Sequence, residues 1–363
     1  MLDVLKSIFS IFLCFILTGL NPQSFKAVLE ERKELASPVI DEAVKGMIKG
    51  SFIQSWLAVA MKEEDWDTEF AKMRELGMEY LIFQTLFVGG KPLYSTDPAV
   101  ENDMLSTALK AAKKHGIKII IGLTEGSAQY YSLTDAIADL APWTVPFEEF
   151  HKQDLEEATR MIDEILEKYG EAYGGELYGW YFTHEFYNSP FYSPAAWKSL
   201  GRQLNGYVRA IENSSAPDMP LLLSPYYIIG SPSIRPDGFA AGLRILFGEA
   251  QLRPIDVFMP QDGYGTVSQS LPVDIVVPSL LSPWIGAMSK VAEEFGFKFW
   301  INNEAFMTSN IETRPPEQLA AQVLATDKYA ETHFIFSWNH YYSATFYKGK
   351  ADLEQRFFDI FAP

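Results

Sequence analysis

Two apolar runs, EYLIFQT at 79–85 and IKIIIGLT at 117–124, flank a segment with helical spacing at 103–115. Each run stays apolar until it ends in polar residues, which is typical of parallel strands covered on both faces. The helical segment has one apolar face and stops at Gly116, a residue suited to the left-handed conformation at a helix end. This stretch therefore predicts a strand–helix–strand unit with parallel strands.

The same alternation continues along the chain in both directions. Further apolar runs that predict strands lie at 51–56, 177–184, 220–226, 255–261, 297–303 and 332–338. Helical spacing or helix-start signals fall at 63–76, at 153–169, at Ser193-Pro194, at 231–250, at Ser282-Pro283, at 316–330 and at 351–361. Each unit takes about 40 residues, which is enough for a strand, a helix and two loops. Eight units predict an α/β fold of the (β/α)8 TIM barrel type, in a single domain.

The alternative fold is an open, doubly wound sheet. Such sheets usually carry a glycine-rich phosphate-binding turn after their first strand. Here the first predicted strand ends in Gln54-Ser55-Trp56, so the sequence favours the barrel.

Composition limits the class of partner. The 363 residues are 48% hydrophobic and 21% charged, as in ordinary globular proteins. The net charge of -17 disfavours nucleic acid and anionic lipid, because both need a basic surface. We therefore expect no nucleic-acid partner, and the sequence predicts no oligomeric state.

The N-terminal segment differs from the rest of the chain. Residues 8–20, IFSIFLCFILTGL, carry no charge; the run is short for a membrane span of about 20 residues but suits a secretory signal. We expect a signal peptide or membrane anchor at 1–27, the barrel at 45–363, and a secreted, periplasmic or cell-surface protein. A buried N-terminal helix is the alternative. Cys14, the only cysteine, lies in this segment, so removal of the segment would leave no thiol.

Functional side chains of such barrels lie at the C-terminal ends of the strands. In this chain those positions hold amides, carboxylates and aromatic rings, a mixture that binds sugars through hydroxyl hydrogen bonds and ring faces. We expect a carbohydrate substrate. The candidate substrate-binding residues are Gln54, Trp56, Gln84, Glu125, His184, Asn188, Tyr226, Asp262, Tyr264, Asn303, Trp338, Asn339 and His340.

Glu185 and Glu304 are the candidate catalytic pair. They follow the fourth and seventh strands, which lie on opposite sides of a barrel mouth, and glycoside hydrolysis needs two carboxyl groups that flank the scissile bond. Tyr264 is predicted to hydrogen-bond Glu304 and hold it ionised. A structural role remains open for each acid, because a carboxylate at a strand end can also cap a helix or pair with a neighbour.

Other interpretations of these strand ends also stay open. Glu125 and Asp262 also suit turns, and Trp56 and Trp338 also suit the core. The barrel could bind glycans without cleaving them. It could also be a metal-dependent hydrolase or isomerase that uses His184, Glu185, Asp262 and His340. Their spacing matches no known metal motif, so no metal or other cofactor is predicted.

Several stretches resemble an uncharacterised bacterial domain family assigned as TIM-barrel glycoside hydrolases. They are GSFIQSW, WDTEFAKMRELGMEYLIFQ, GWYFTHEFYN, PQDGYG, WINNEAF and FSWNHYYS, and they span residues 50–343. The layout is similar to clan A glycoside hydrolases, in which a strand-4 Glu is the acid/base and a strand-7 Glu the nucleophile. A strand-6 Tyr and a strand-8 Trp commonly assist these two. The residues of this chain in those places are, in that order, Glu185, Glu304, Tyr264 and Trp338.

The resemblance implies a retaining glycosidase, with one departure from the clan pattern. The clan usually has an asparagine directly before the acid/base, where it contacts the sugar 2-hydroxyl, and this chain has His184. Asn188 is a candidate for the missing contact.

Overall fold

The computed structural model describes residues 23, 26, 27, 30, 42–88, 90–97, 99–100, 102–124, 145–188, 193–229, 235–266, 278–307 and 312–363. The parallel strands in these ranges are β1 (Ile48–Ile53), β2 (Tyr80–Phe83), β3 (Lys118–Leu123), β4 (Leu177–Phe182), β5 (Leu221–Leu223), β6 (Val257–Phe258), β7 (Lys298–Phe299 and Ile301–Glu304) and β8 (His333–Phe336). The helices that alternate with them are α1 (Glu63–Glu75), α2 (Met104–His115), α3 (Val145–Tyr173), α4 (Pro194–Glu212), α5 (Pro236–Ala250), α6 (Pro278–Phe295), α7 (Pro316–Asp327) and α8 (Ala351–Phe361).

Strand β7 closes the sheet into a barrel. Its first part pairs with β6 and its second part with β8, and only Trp300 separates the two parts. The Trp300 amide donates to the Phe258 carbonyl at 3.1 Å, and the next amide along the chain donates to the Thr332 carbonyl at 3.0 Å. Every other neighbouring pair is also parallel: β1 to β6 pair in chain order, and β8 pairs with β1. The predicted (β/α)8 TIM barrel is confirmed.

The barrel interior is packed with side chains from all its strands. Its buried members are Phe52, Ile82, Ile120, Tyr181, Leu222, Val257, Met259, Trp300 and Phe334. At the N-terminal end, Trp300 stacks on Phe334 with 5.3 Å between ring centroids, and Tyr80 packs against both. The interior is therefore filled with side chains below the C-terminal ends of the strands and is not a pore. A second apolar cluster joins the outer strand faces to the helices.

Most element boundaries follow local chemistry. Helix α2 begins after Asp103, whose carboxylate accepts the Ser106 amide at 2.8 Å, and α4 begins after its predicted cap Ser193. The prediction that Ser282-Pro283 opens a helix was wrong, because α6 starts at Pro278 and contains Pro283. Pro283 is the sixth residue of α6, where it supplies no N–H group for the helix.

Two predicted boundaries also shift. Strand β1 begins at Ile48 and ends at Ile53, and the predicted strand end at Ser55-Trp56 belongs to a helical turn, Ser55–Ala58. Helix α3 runs over Val145–Tyr173, well beyond the predicted 153–169.

The predicted signal or anchor at residues 8–20 lies outside the described residues, so it stays a prediction. Among the helices that the structure does describe, none combines the length and the apolar character needed to cross a bilayer.

Candidate active site

A cavity of about 350 Å³ lies at the C-terminal ends of the strands. This volume is within the usual range for small-molecule sites. The lining residues are Gln84, Glu185, Tyr226, Gln261, Thr266, Glu304, Phe306 and Phe336. They lie at or just after the ends of β2, β4, β5, β6, β7 and β8, so the barrel brings both candidate catalytic carboxylates into one cavity.

Glu185 is the more accessible of the two acids. Its side chain is half-buried, and Gln261 Nε2 donates to its Oε1 at 2.8 Å. Tyr181 lies below it in the barrel interior. Burial, and then the negative charge of Glu185, raise the pKa of the Tyr181 hydroxyl well above its usual value, so this hydroxyl remains protonated.

Glu304 lines the cavity but has no solvent-exposed surface. Its Oε2 accepts the backbone N–H groups of Gly265 at 2.5 Å and Thr266 at 2.9 Å. Its Oε1 accepts the Thr266 hydroxyl. The turn after β6 therefore covers the carboxylate and occupies both of its oxygens.

Tyr264, predicted to hold Glu304, belongs to this same turn. Its ring lies 5.4 Å from the Arg314 guanidinium, and its carbonyl accepts that side chain at 3.2 Å. The hydrogen bonds to the carboxylate come instead from the two residues that follow Tyr264. The predicted element was right, but the contact is made by backbone amides and a threonine hydroxyl.

Gln261 and Thr266 link the two carboxylates. Gln261 bonds Glu185 through its nitrogen, and its Oε1 lies 3.4 Å from Thr266 Oγ1, which donates to Glu304. Neither residue was predicted as part of the site. Gln261 carries the signal that selected Gln54 and Gln84, an amide at the end of an apolar run. Thr266 carries no such signal, because its place depends on the preceding turn.

Asp262 lies directly beneath Glu304 and is fully buried. It accepts the Glu304 amide at 3.2 Å, Asn303 Nδ2 at 2.8 Å and Gln322 Nε2. Burial, and then the charge of Asp262, raise the pKa of Glu304 to about 7, and burial also raises the pKa of Asp262. Two neighbouring buried acids resist simultaneous ionisation.

Three predicted binding residues sit together beside the cavity. Gln54 Nε2 lies 3.4 Å from His340 Nδ1, and the imidazole meets the Trp56 ring edge-on at 5.2 Å. Trp56 is 49% exposed. These residues follow β8 and β1, and they form part of the rim around the cavity.

Trp338 and Asn339 lie away from the cavity. Both side chains donate to the buried Glu69 of α1, the indole at 2.9 Å and the amide at 2.7 Å. Trp338 has no exposed surface and packs on Phe357 of α8. Residues Trp338–Tyr341 form a helical turn that directs these side chains into the helix layer, so neither offers a face to a sugar.

His184 also points away from the cavity. Its Nε2 lies 2.7 Å from Asp154 of α3, which accepts the Tyr207 hydroxyl of α4 as well. Burial alone would raise the pKa of Asp154, but the charge of His184 and the hydrogen bonds from His184, Tyr207 and Thr124 together give a net downward shift. This buried group joins the end of β4 to two helices and does not reach a substrate.

The remaining predicted residues are structural or lie outside the described ranges. Asn188 exchanges two 2.8 Å hydrogen bonds with the backbone of Ile228. Asn303 is buried between Asp262 and His333. Glu125 lies outside the described residues.

The donors considered for a metal site are separated from one another. His184 bonds Asp154, Asp262 bonds Asn303, and His340 packs on Trp56. In the part of the chain that the structure describes, no three His, Cys, Asp or Glu side chains group as metal ligands.

Comparison with known families identifies the family of this chain. Residues 48–347, from the first residue of β1 past the end of β8, match the model of a family described as "Domain of unknown function (DUF4434)". The chain belongs to the DUF4434 family. A search of curated proteins found no match to it.

Two solved structures share the fold of this DUF4434 barrel. A proposed alpha-L-fucosidase from Bacteroides thetaiotaomicron superposes with a TM-score of 0.66 at 17% identity, over 89% of this chain and 99% of that one. An endo-1,4-beta-D-mannanase from Thermotoga petrophila gives 0.54 at 14% identity, over 80% of this chain and 87% of that one. These superpositions confirm the expected (β/α)8 barrel as the fold.

Proposed function

We propose that this DUF4434 barrel is a glycoside hydrolase that cleaves O-glycosidic bonds of an oligo- or polysaccharide. The observation that carries the proposal is the presence of Glu185 and Glu304 in one cavity, together with amide and aromatic side chains. Two carboxyl groups in different environments are what this chemistry needs. Support also comes from the fold neighbours, which are named as a proposed fucosidase and a mannanase.

We assign the role of each acid from its strand, as the resemblance to clan A glycoside hydrolases implies, with Glu185 after β4 and Glu304 at the end of β7. Glu185, accessible and bound by Gln261, protonates the leaving oxygen and later takes a proton from water. Glu304 attacks the anomeric carbon: its oxygen bonds to that carbon as the glycosidic C–O bond breaks, and water then hydrolyses the ester. A carboxylate nucleophile gives two displacements, so the anomeric configuration is retained.

The nucleophilic role requires a small movement of Thr266. Its hydroxyl covers Glu304 Oε1, whereas the Gly265 and Thr266 amides hold Oε2. Rotation about the Thr266 Cα–Cβ bond uncovers Oε1 and leaves Oε2 in place. Thr266 is thus a positioning residue for the nucleophile.

Substitution of the pair tests the proposal. We expect Glu304→Gln and Glu185→Gln each to lower kcat by about 10³-fold or more on a panel of aryl glycosides and polysaccharides. The matched control is Glu63→Gln, at the outer start of α1, which should hydrolyse like wild type. Unchanged hydrolysis by Glu304→Gln would falsify the assignment. An inverted product in the NMR spectrum would instead make Glu304 a general base.

A glycan-binding barrel without hydrolysis is the second candidate. It is favoured by the complete burial of Glu304 and the occupation of both its oxygens. It predicts tight oligosaccharide binding and no release of reducing sugar by wild type. Calorimetry and a reducing-sugar assay on the same glycan panel separate the two candidates.

We also propose export of the protein, on the basis of the uncharged residues 8–20. The test is cell fractionation with N-terminal sequencing of the recovered chain. Recovery of the intact chain, with Met1, from the cytosol contradicts this proposal without affecting the enzymatic one.

A further inference from the structure

Four aromatic rings run outward from one wall of the cavity. Phe306, which lines the cavity, stacks on Tyr341 with 6.0 Å between centroids, and Tyr341 stacks on His340 at 4.4 Å. The His340 ring then meets Trp56 edge-on at 5.2 Å. We call Phe306, Tyr341, His340 and Trp56 the aromatic row. It connects the carboxylate cavity to an indole at the surface.

Trp56 ends the row in an exposed position that is held by its neighbours. It lies on the helical turn Ser55–Ala58, directly after β1, and is 49% exposed. His340 supports its ring, and Gln54 in turn contacts His340 at 3.4 Å. A single exposed ring is unremarkable, but one that continues an aromatic wall out of a polar cavity is suited to cover the C–H face of a sugar.

A second aromatic surface lies across the cavity. Tyr226 lines the cavity and stacks on Tyr187 at 4.9 Å, with 13° between the ring planes. These tyrosines follow β5 and β4, whereas the outer end of the aromatic row follows β8 and β1. In a closed eight-stranded barrel, β1 lies opposite β5 and β8 opposite β4. The two aromatic surfaces therefore lie on opposite sides of the barrel mouth.

The charges around the cavity limit the kind of sugar. The described residues that line the cavity include two carboxylates and no lysine or arginine. The whole chain carries a net charge of -17. A uronate-rich or sulfated chain would meet repulsion on approach and no cation in the cavity.

We propose that the ligand is a neutral, linear chain of sugar rings that crosses the barrel mouth, with rings on Trp56, in the cavity, and on the Tyr187–Tyr226 pair. Cleavage of this bound glycan rests on the proposed glycosidase activity, and the bond cleaved would be an internal one. Binding of the glycan does not depend on that activity, because the aromatic surfaces exist whether or not the bond is broken.

The test compares long and short substrates on the same variants. On neutral oligosaccharides of increasing length, we expect Trp56→Ala to lower kcat/KM by about tenfold more than on aryl monoglycosides, chiefly through KM. Trp56→Phe should recover most of this loss because it restores a ring. Phe295→Ala, a similarly exposed aromatic at the end of α6, is the control and should act like wild type on both.

The outcomes separate the two proposals. Equal losses by Trp56→Ala on long and short substrates, or no loss on long ones, overturn the chain-binding proposal while leaving the glycosidase intact. If wild type cleaves nothing, affinity electrophoresis in neutral and anionic polysaccharide gels decides: retardation by neutral chains that weakens in Trp56→Ala supports chain binding. Retardation only by anionic chains, or no retardation at all, overturns it.

Discussion

Glu69 and Glu304 are both fully buried glutamates, yet their surroundings differ in kind. Glu69 accepts hydrogen bonds from Trp338, Asn339 and Ser343, all at the end of β8. Glu304 is held by a single turn, faces a cavity, and has Asp262 beneath it. Burial is the largest cause of a raised pKa at both sites. Burial alone therefore does not mark an acid as catalytic, and the proposed role of Glu304 rests on the cavity and on the second acid beside it.

The largest expected difference between Glu304 and Glu69 is in catalytic activity after each is replaced by glutamine. Glu304→Gln should lower kcat by about 10³-fold or more, whereas Glu69→Gln should change kcat by less than about tenfold because Glu69 does not line the cavity. Steady-state kinetics on the best substrate of the panel checks both values. Equal losses in the two variants would mean that Glu304, like Glu69, is structural.

The second comparison concerns stability: we expect substitution of Glu69 to lower the free energy of unfolding and substitution of Glu304 to raise it. Glu69→Ala leaves three buried donors without their acceptor and should lower the free energy of unfolding by about 3 kcal/mol. Glu304→Gln should raise it at pH 8. The folded pKa of Glu304, about 7, lies above its usual value of 4.5, so its stabilising contribution is complete below pH 4.5 and lost as the pH rises through 7.

Urea titrations at pH 4.5 and pH 8 measure this sign. The stability gain of Glu304→Gln over wild type should be larger at pH 8, by on the order of 1–3 kcal/mol. A gain that is the same at both pH values would show that Glu304 does not retain a proton in the folded protein.

The pH dependence of activity gives a third comparison. A nucleophile must be ionised, so kcat/KM should fall below about pH 7, by about tenfold per pH unit, as Glu304 becomes protonated. A pH–rate profile of wild type measures this acid limb. An acid limb near pH 4.5, the usual range for an exposed glutamate, would show that burial and Asp262 do not raise the pKa of Glu304.

The smallest expected effect is at Thr266. Loss of its hydroxyl in Thr266→Val removes a hydrogen bond that favours the ionised Glu304, so the acid limb should move to higher pH. At pH 6 this corresponds to a loss of roughly two- to tenfold in kcat/KM. Thr266→Ser, which keeps the hydroxyl, is the control. If both variants keep the wild-type limb, Thr266 has no part in setting the ionisation.

The sequence predicts the barrel well because each strand is an apolar run and each run ends in polar residues. The same signal correctly identifies strand ends that reach the cavity, such as Glu185, Gln84 and Tyr226. It needs no knowledge of distant partners, since parallel strands bring their C-terminal ends together wherever the helices lie.

The direction of a side chain beyond a strand end is harder to predict. His184 and Glu185 are adjacent, yet one turns to Asp154 in the helix layer and the other to the cavity. Trp338 turns outward because Glu69, far away in the sequence, accepts its indole N–H. Such choices depend on long-range polar partners that one sequence does not reveal.

Thr266 illustrates the same limit for loops. Its contact with Glu304 requires the preceding turn through Gly263, whose φ of 84° suits glycine. A glycine in PQDGYG predicts a turn, but it does not predict which residue after the turn meets the carboxylate.

The amide of Asn188 behaves like a piece of backbone. By exchanging two hydrogen bonds with Ile228, it joins the segment that carries Tyr187 to the segment that carries Tyr226. The stacked tyrosines are thus set in place when the chain folds, before any ligand arrives. If a glycan binds there as proposed, it does not have to order these two segments, and the smaller loss of entropy on binding favours its slow release.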